Sequence, residues 1–190
     1  MDLVHLNVDT SFSENTTRIY PFLNESLHSG FVKMDVWTDI VGERMFFKGQ
    51  MTKYMDCLYR YIGIFEYGFF YDIDDFFNPM LPDHRDLKYY TSMLFANPKI
   101  GSACFAWHQM QCAPDESLHN TLKDGNLTSI LSGYEWKPRL RNVGKCAHRL
   151  DAIVYVLVHG AQRKFSGYEH LLVNETLAYV AHNHIRLPQC

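Results

Sequence analysis

The spacing of apolar positions changes period several times along the chain, and each change predicts an element. Leu3 to Val8 reads as a short strand and Phe31 to Trp37 as a second one. Between them a helical stretch runs from about Glu14 to His28, weakened by Pro21 and closed by Gly30, a residue suited to a left-handed C-cap. From Gly49 to about Ile62, Met51, Tyr54, Met55, Leu58 and Tyr61 recur near helical spacing. Tyr67 to Ile73 is a third strand, and Pro79 and Pro82 break the chain after it. Asp86 is placed to cap a helix from Leu87 to about Phe95, which stops before Asn97-Pro98. Ile100 to Trp107, the β-branched stretch Ala152 to His159, and Thr176 to His184 read as further strands. Cys112 to Lys137 is polar and rich in Ser, Asn, Gly and Asp, which predicts a long loop of the kind that shapes binding sites.

Strands alternating with helices predict one α/β domain over residues 1–190, with a mostly parallel sheet flanked by helices. Such sheets bind ligands beyond the carboxyl ends of their strands. At 190 residues, 47% of them hydrophobic and 15% aromatic, the chain can bury a sizeable core. There is no internal repeat or low-complexity tract. A formal net charge of -3, with no block of Lys and Arg, gives no bulk attraction to nucleic acid, so that partner class is excluded. The segment Met1-Asp2-Leu3-Val4-His5 lacks the basic and apolar regions of a signal peptide. The most apolar stretch, Tyr61 to Phe70, is short and carries Glu66, well under the ~20 residues that span a bilayer. The five cysteines show no C-x-x-C spacing, which argues against structural zinc, and their odd number leaves at least one thiol outside any internal pairing. Sequons at Asn15, Asn24, Asn126 and Asn174 hint at the secretory pathway, against the alternative of ordinary surface asparagines.

The chemistry concentrates where the apolar run from Tyr67 meets Asp72, Asp74 and Asp75. In an extended backbone residues i and i+2 share a face, so Asp72 and Asp74 would point together into a cleft while Ile73 points into the core. Two carboxylates in that arrangement suit Mn²⁺ or Mg²⁺, hard cations that prefer oxygen and keep open positions for water or phosphates. The plain alternative is a solvated turn or a helix N-cap.

Asp72-Ile73-Asp74-Asp75-Phe76, following an aromatic strand, resembles the Asp-Ile-Asp-Glu-Phe hallmark of glycosyltransferase family 92, formerly a domain of unknown function. Lys48-Gly49-Gln50 and Asp56-Cys57-Leu58 are similar to the glutamine and Asp-Cys-Leu elements on the helix that enters that strand. Phe105-Ala106-Trp107, Gly144-Lys145, Val158-His159 and His184-Ile185-Arg186 follow in the family's order. A lone Asp-x-Asp is common, so the weight lies on the ordered set from about Val4 to Arg186. Asp75 stands where the family has Glu, and Ile185 where it has Tyr.

The resemblance implies a GT-A-like, Rossmann-like fold whose first strand-helix unit is missing here. It also implies a Golgi or secretory-pathway membrane protein, with its anchor outside this chain. The implied activity is metal-dependent transfer of a hexose, often galactose, from a UDP-sugar donor to a glycan acceptor with inversion. Asp74 and Asp72 would hold the metal, with Asp72 near the nucleotide ribose or the metal's waters. His184 would add a nitrogen ligand, with His182 and His159 as competitors. Lys145 and Arg186 are candidates to pair with the donor phosphates. Candidates for the carboxylate that deprotonates the acceptor are Asp115 and Glu116, with Asp151 behind them. Trp107 and Trp136 either stack on a sugar or belong to the core. The competing reading is a truncated, non-catalytic relative that keeps the fold and binds glycans or partners. A metal-dependent hydrolase ranks last, because no dense His and Asp motif accompanies the acidic cluster.

Overall fold

A computed structural model describes residues 4–9, 28–30, 32–37, 49–72, 74–82, 87–112, 134–138 and 144–182. The chain divides into two compact units, Met1–Tyr61 and Ile62–Cys190.

In the first unit, β1 (Val4–Asp9) and β2 (Val32–Trp37) pair in parallel, in unbroken register from Val4 opposite Val32 to Asp9 opposite Trp37. The helix expected from Glu14 falls outside the described residues except at His28, which is helical. Gly30 has φ 74°, the left-handed conformation a C-cap requires. The helix α1 (Gln50–Tyr61) buries Tyr54, Leu58 and Tyr61, the i, i+4, i+7 face that the sequence spacing predicts. Arg60 bonds Asp56 one turn earlier at 2.7 Å and reaches Asp35 of β2 at 3.0 Å, which ties helix to strand. Burial pushes the Cys57 thiol up to about 11, with the Asp56 charge adding to it, so Cys57 stays protonated and is no nucleophile at neutral pH.

The second unit contains β3 (Tyr67–Phe69), β4 (Asp75–Pro79), α2 (Leu87–Leu94), β5 (Ile100–Cys104), β6 (Ala106–Cys112), β7 (Tyr134–Pro138), β8 (Cys146–Arg149), β9 (Ile153–Leu157), β10 (Gly160–Lys164), β11 (Glu169–Leu172) and β12 (Ala178–His182). One four-stranded sheet runs β11-β5-β8-β3, another β4-β12-β6-β7, and β9 and β10 form a hairpin. The expectation of a mostly parallel sheet is corrected here. The fold is α/β, but antiparallel pairings outnumber parallel ones among the described residues. The reason lies in which strands meet. Of the antiparallel pairs only β9 and β10 are joined by a short turn, at Val158-His159, while β3 with β8, β5 with β8, β4 with β12 and β6 with β7 pair across long stretches of sequence, so the order of elements along the chain does not fix their direction.

The strand expected from Ile100 to Trp107 breaks at Phe105, where the chain leaves one sheet and enters the other. Phe105 donates its N–H to Lys145 O at 3.0 Å and accepts from Gly144 N–H at 3.1 Å. A Cβ on Gly144 would collide with Phe105 O and approach Trp107 Cβ to 2.8 Å, so only glycine permits this approach. All five residues of β5 are buried, and its Cys104 forms a disulfide with the cross-strand partner Cys146 of β8. The core gathers Tyr90 and Leu94 of α2 with Phe105, Trp107, Ala147, Val173 and Val180. Tyr90, fully buried, accepts from Leu81 N–H and donates to Leu177 O, so its hydroxyl is satisfied. The proposed cap Asp86 lies outside the described residues, as does most of the expected loop, whose end from Tyr134 is the strand β7.

Candidate metal centre

The acidic motif is held by a turn rather than by a strand end, which corrects the first picture. Extended pairing stops at Phe69, and the chain reverses so that Asp75 N–H donates to Asp72 O at 3.0 Å. Asp72 N–H in turn donates to the Asp75 Oδ2 at 2.8 Å. Asp72 and Asp74 therefore converge through the turn, not through a shared strand face. Ile73 is outside the described residues.

Asp75 opens β4, whose alternation of a buried Asp75, an exposed Phe76 and a half-buried Phe77 turns its carboxylate inward. Directly across the antiparallel ladder from Asp75 stands His182, the last residue of β12. Cross-strand partners of this kind bring side chains into contact, and His182 Nδ1 lies 2.8 Å from Asp75 Oδ1 and 3.8 Å from Asp74 Oδ1. Lys145, just before β8, donates from Nζ to Asp72 Oδ2 at 2.7 Å and lies 3.3 Å from Asp75 Oδ2. Its side chain is 1% exposed and that of Asp75 is 0%, against 36% for Asp74. The pair of Lys145 and Asp75 is thus the dry base of the cluster, and Asp74 is its open rim.

Burial pushes the Asp75 carboxyl up, but the hydrogen bond from His182, the Lys145 charge and the Asp72 N–H outweigh it and hold the group below its ordinary value. Burial draws the His182 imidazole down, and its bond to Asp75 with the charges of Asp74, Asp75 and Asp72 more than reverses this. Trp107 packs its ring 4.8 Å from that of His182 and 5.8 Å from that of His159. Burial and the Lys145 charge depress the His159 imidazole despite Asp72 and Asp75, so His159 is the neutral imidazole at neutral pH. The Tyr71 hydroxyl is buried with no hydrogen-bond partner among the described residues. Burial and the Asp75 charge raise it far above the ordinary tyrosine range, which keeps it protonated.

Asp72, Asp74, Asp75 and His182 each offer a ligand atom, and these atoms all lie within 4.8 Å of one another. Three carboxylates and one imidazole are a donor set suited to Mn²⁺ or Mg²⁺, so the residues present fit such an ion. Of the expected site residues, Asp72, Asp74 and Lys145 are brought together. His184, Arg186, Asp115 and Glu116 lie outside the described residues. Asp151 is exposed in the short turn Leu150–Ala152 and is not one of the converging ligand residues. Trp107 belongs to the core rather than to a surface that meets sugar, and Trp136 lies in β7. Asp75 had no assigned role in the sequence and is the hub. Its signal was an aspartate on the inward period of an aromatic strand. His182 was only a competitor, and its pairing with Asp75 depends on a register that no local pattern reveals.

An α/β protein with an acidic cluster at one end of a strand pair describes a large class, and comparison narrows it. Residues 10–186 match the profile of glycosyltransferase family 92, and the chain belongs to that family. It is 43% identical over 58 residues to the beta-1,4-galactosyltransferase galt-1 of Caenorhabditis elegans. That alignment covers 30% of this chain and 13% of the relative, so the chain spans a small part of the relative's length.

Proposed function

We propose that the chain carries the donor-binding part of a metal-dependent glycosyltransferase that moves a hexose from a UDP-sugar to a glycan acceptor. The observation that carries this is the convergence of Asp72, Asp74, Asp75 and His182 within 4.8 Å. Family membership supports the reaction class, and the similarity to a galactosyltransferase supports galactose as the sugar. In this reading the described strands form part of a GT-A-like scaffold. The Cys104–Cys146 disulfide supports a secretory compartment such as the Golgi, because such bonds persist under oxidising conditions. No helix among the described residues is long and apolar enough to cross a membrane.

Asp74 offers the most open carboxylate oxygen, with Asp72 beside it, while Asp75 and Trp107 orient the His182 ring. His184 is a further ligand candidate. A bound Mn²⁺ or Mg²⁺ would supply positive charge where the diphosphate leaves, an effect worth several kcal/mol. Lys145 acts on the donor through the two carboxylates that it fixes, and Arg186 pairs with the donor phosphates. Inversion requires a carboxylate on the face opposite the leaving group, and Asp115 and Glu116 are the proposed carriers of that proton transfer.

Calorimetry of UDP-galactose with and without Mn²⁺ tests the reading. The parent protein binds the donor more tightly with metal, and Asp74→Ala removes that gain. Equal binding by Asp74→Ala would refute the ligand assignment, and a parent that binds neither metal nor donor would establish the non-catalytic alternative.

A further inference from the structure

Three of the four sequon asparagines, Asn15, Asn24 and Asn126, fall outside the described residues, and Asn174 falls within them. We propose that Asn174 is a site of N-linked glycosylation, its side chain displayed by the turn between β11 and β12 as an acceptor for an oligosaccharide. Asn174, Glu175 and Thr176 are all exposed. The Asn174 Oδ1 accepts from Thr176 N–H at 3.0 Å and from the Thr176 hydroxyl at 2.9 Å. The backbone is closed beneath by Leu177 N–H donating to Asn174 O at 2.8 Å. With Oδ1 held by two donors, the carboxamide is fixed in one orientation, and Nδ2 makes no hydrogen bond among the described residues. The hydroxyl that the sequon demands is thus already in contact with the amide that would react.

The surroundings support the same role. Val173 N–H donates to Cys104 O at 2.8 Å, so the turn is attached to the strand that carries the disulfide. Disulfides and N-glycans are made in the same oxidising compartment. Leu172, two residues before the asparagine, is 62% exposed, while Val173 between them is buried. An open cleft of about 400 Å³ is bordered by Leu172, Val173, Asn174 and Glu175. The C–H face of a first hexosamine can lie over Leu172 there and shield it from water. His182 is at the far end of β12, roughly 13 Å along the strand from Ala178 at ~3.3 Å per residue, so a glycan on Asn174 stands clear of the acidic cluster.

In the transfer itself, Nδ2 attacks C1 of a lipid-diphosphate-linked oligosaccharide. The N–C1 bond forms, the bond from C1 to the diphosphate oxygen breaks, the lipid diphosphate departs with its electron pair, and the amide gives one proton to a base.

The test is peptide mass spectrometry on the protein purified from the cells that make it, after peptide N-glycosidase treatment in isotopically heavy water. A glycosylated asparagine becomes a labelled aspartate, and a bare one remains asparagine. The expected result is the label at position 174, its loss in Thr176→Ala, and its retention in Thr176→Ser, which keeps the hydroxyl and separates loss of the sequon from misfolding. An unlabelled Asn174 in the parent overturns the proposal, whatever the other three sequons carry. A label that survives Thr176→Ala overturns it too.

Discussion

Lys145 and Asp75 show how much of the site is decided by single buried charges. Neither side chain has meaningful surface of its own, and each ion is compensated by contacts a few ångströms away. Removing one partner from such a pair leaves an uncompensated charge in a dry setting, which costs more than the pair contributes while intact. Lys145→Met is therefore expected to lower unfolding stability by on the order of 3 kcal/mol in denaturant titration. Arg60, exposed in its pairing with Asp56 and Asp35, should barely move the midpoint when replaced by Met. Equal effects of the two substitutions would contradict the burial assigned to Lys145. The acidic motif itself was legible as three aspartates after an aromatic run, with a solvated turn or helix N-cap standing as the alternative to a metal clamp until the ordered family motifs were added. The hub was not. An aspartate that faces inward looks the same in sequence as one that faces solvent until the strand's face is known.

Between β5 and β8, the ladder carries two features that can be measured. Cys104 and Cys146 are cross-strand partners separated by 42 residues in sequence. Closing a loop of that length restricts the unfolded chain by about 4 kcal/mol in the chain-entropy account. Reduction, or the Cys104→Ser, Cys146→Ser double variant, should lower the thermal midpoint accordingly, and an unchanged midpoint would mean that the bond is not formed. Two residues along, Ser102 Oγ lies 2.8 Å from His148 Nδ1, both side chains fully buried. Burial draws the His148 imidazole from 6.5 down to about 3, with the His170 charge adding to it. The unfolded chain takes up the proton first, so this contribution is fully present above pH 6.5 and declines as pH falls toward about 3. The slope should approach about 1.4 kcal/mol per pH unit for one proton. His148→Gln should flatten that limb in denaturant titrations run across the range. An identical slope in both proteins would place the titrating group elsewhere. The helices α1 and α2 were readable from spacing because their contacts are local. The hairpin partner β10 and the edge strand β11 were missed because neither carries an apolar alternation to detect: β10 reads Gly-Ala-Gln-Arg-Lys, and β11 sets Glu169 and His170 before two adjacent leucines, of which Leu172 is exposed.

At the level of the whole molecule, the class α/β, the family and the position of the acidic motif were open to sequence, but the sheet architecture was not. Pairing direction depends on which strands meet, and the partners that build the site come from three distant segments. Asp75 lies in β4, Lys145 before β8, and His182 at the end of β12. Only the break at Phe105, which carries the chain from one sheet to the other, brings the Gly144-Lys145 segment against the Phe105-Ala106-Trp107 segment, and a strand read as continuous from Ile100 to Trp107 conceals it. The family likeness supplied the order of these segments without their geometry. The central claim is that the converging side chains take a divalent ion, and the most direct check is anomalous diffraction from crystals of the protein grown with Mn²⁺. One manganese peak is expected at coordination distance from Asp74, shared with others of Asp72, Asp75 and His182. No peak there at saturating metal, with Asp72 and Asp75 still bonded to Lys145 and Asp74 facing solvent, would contradict it.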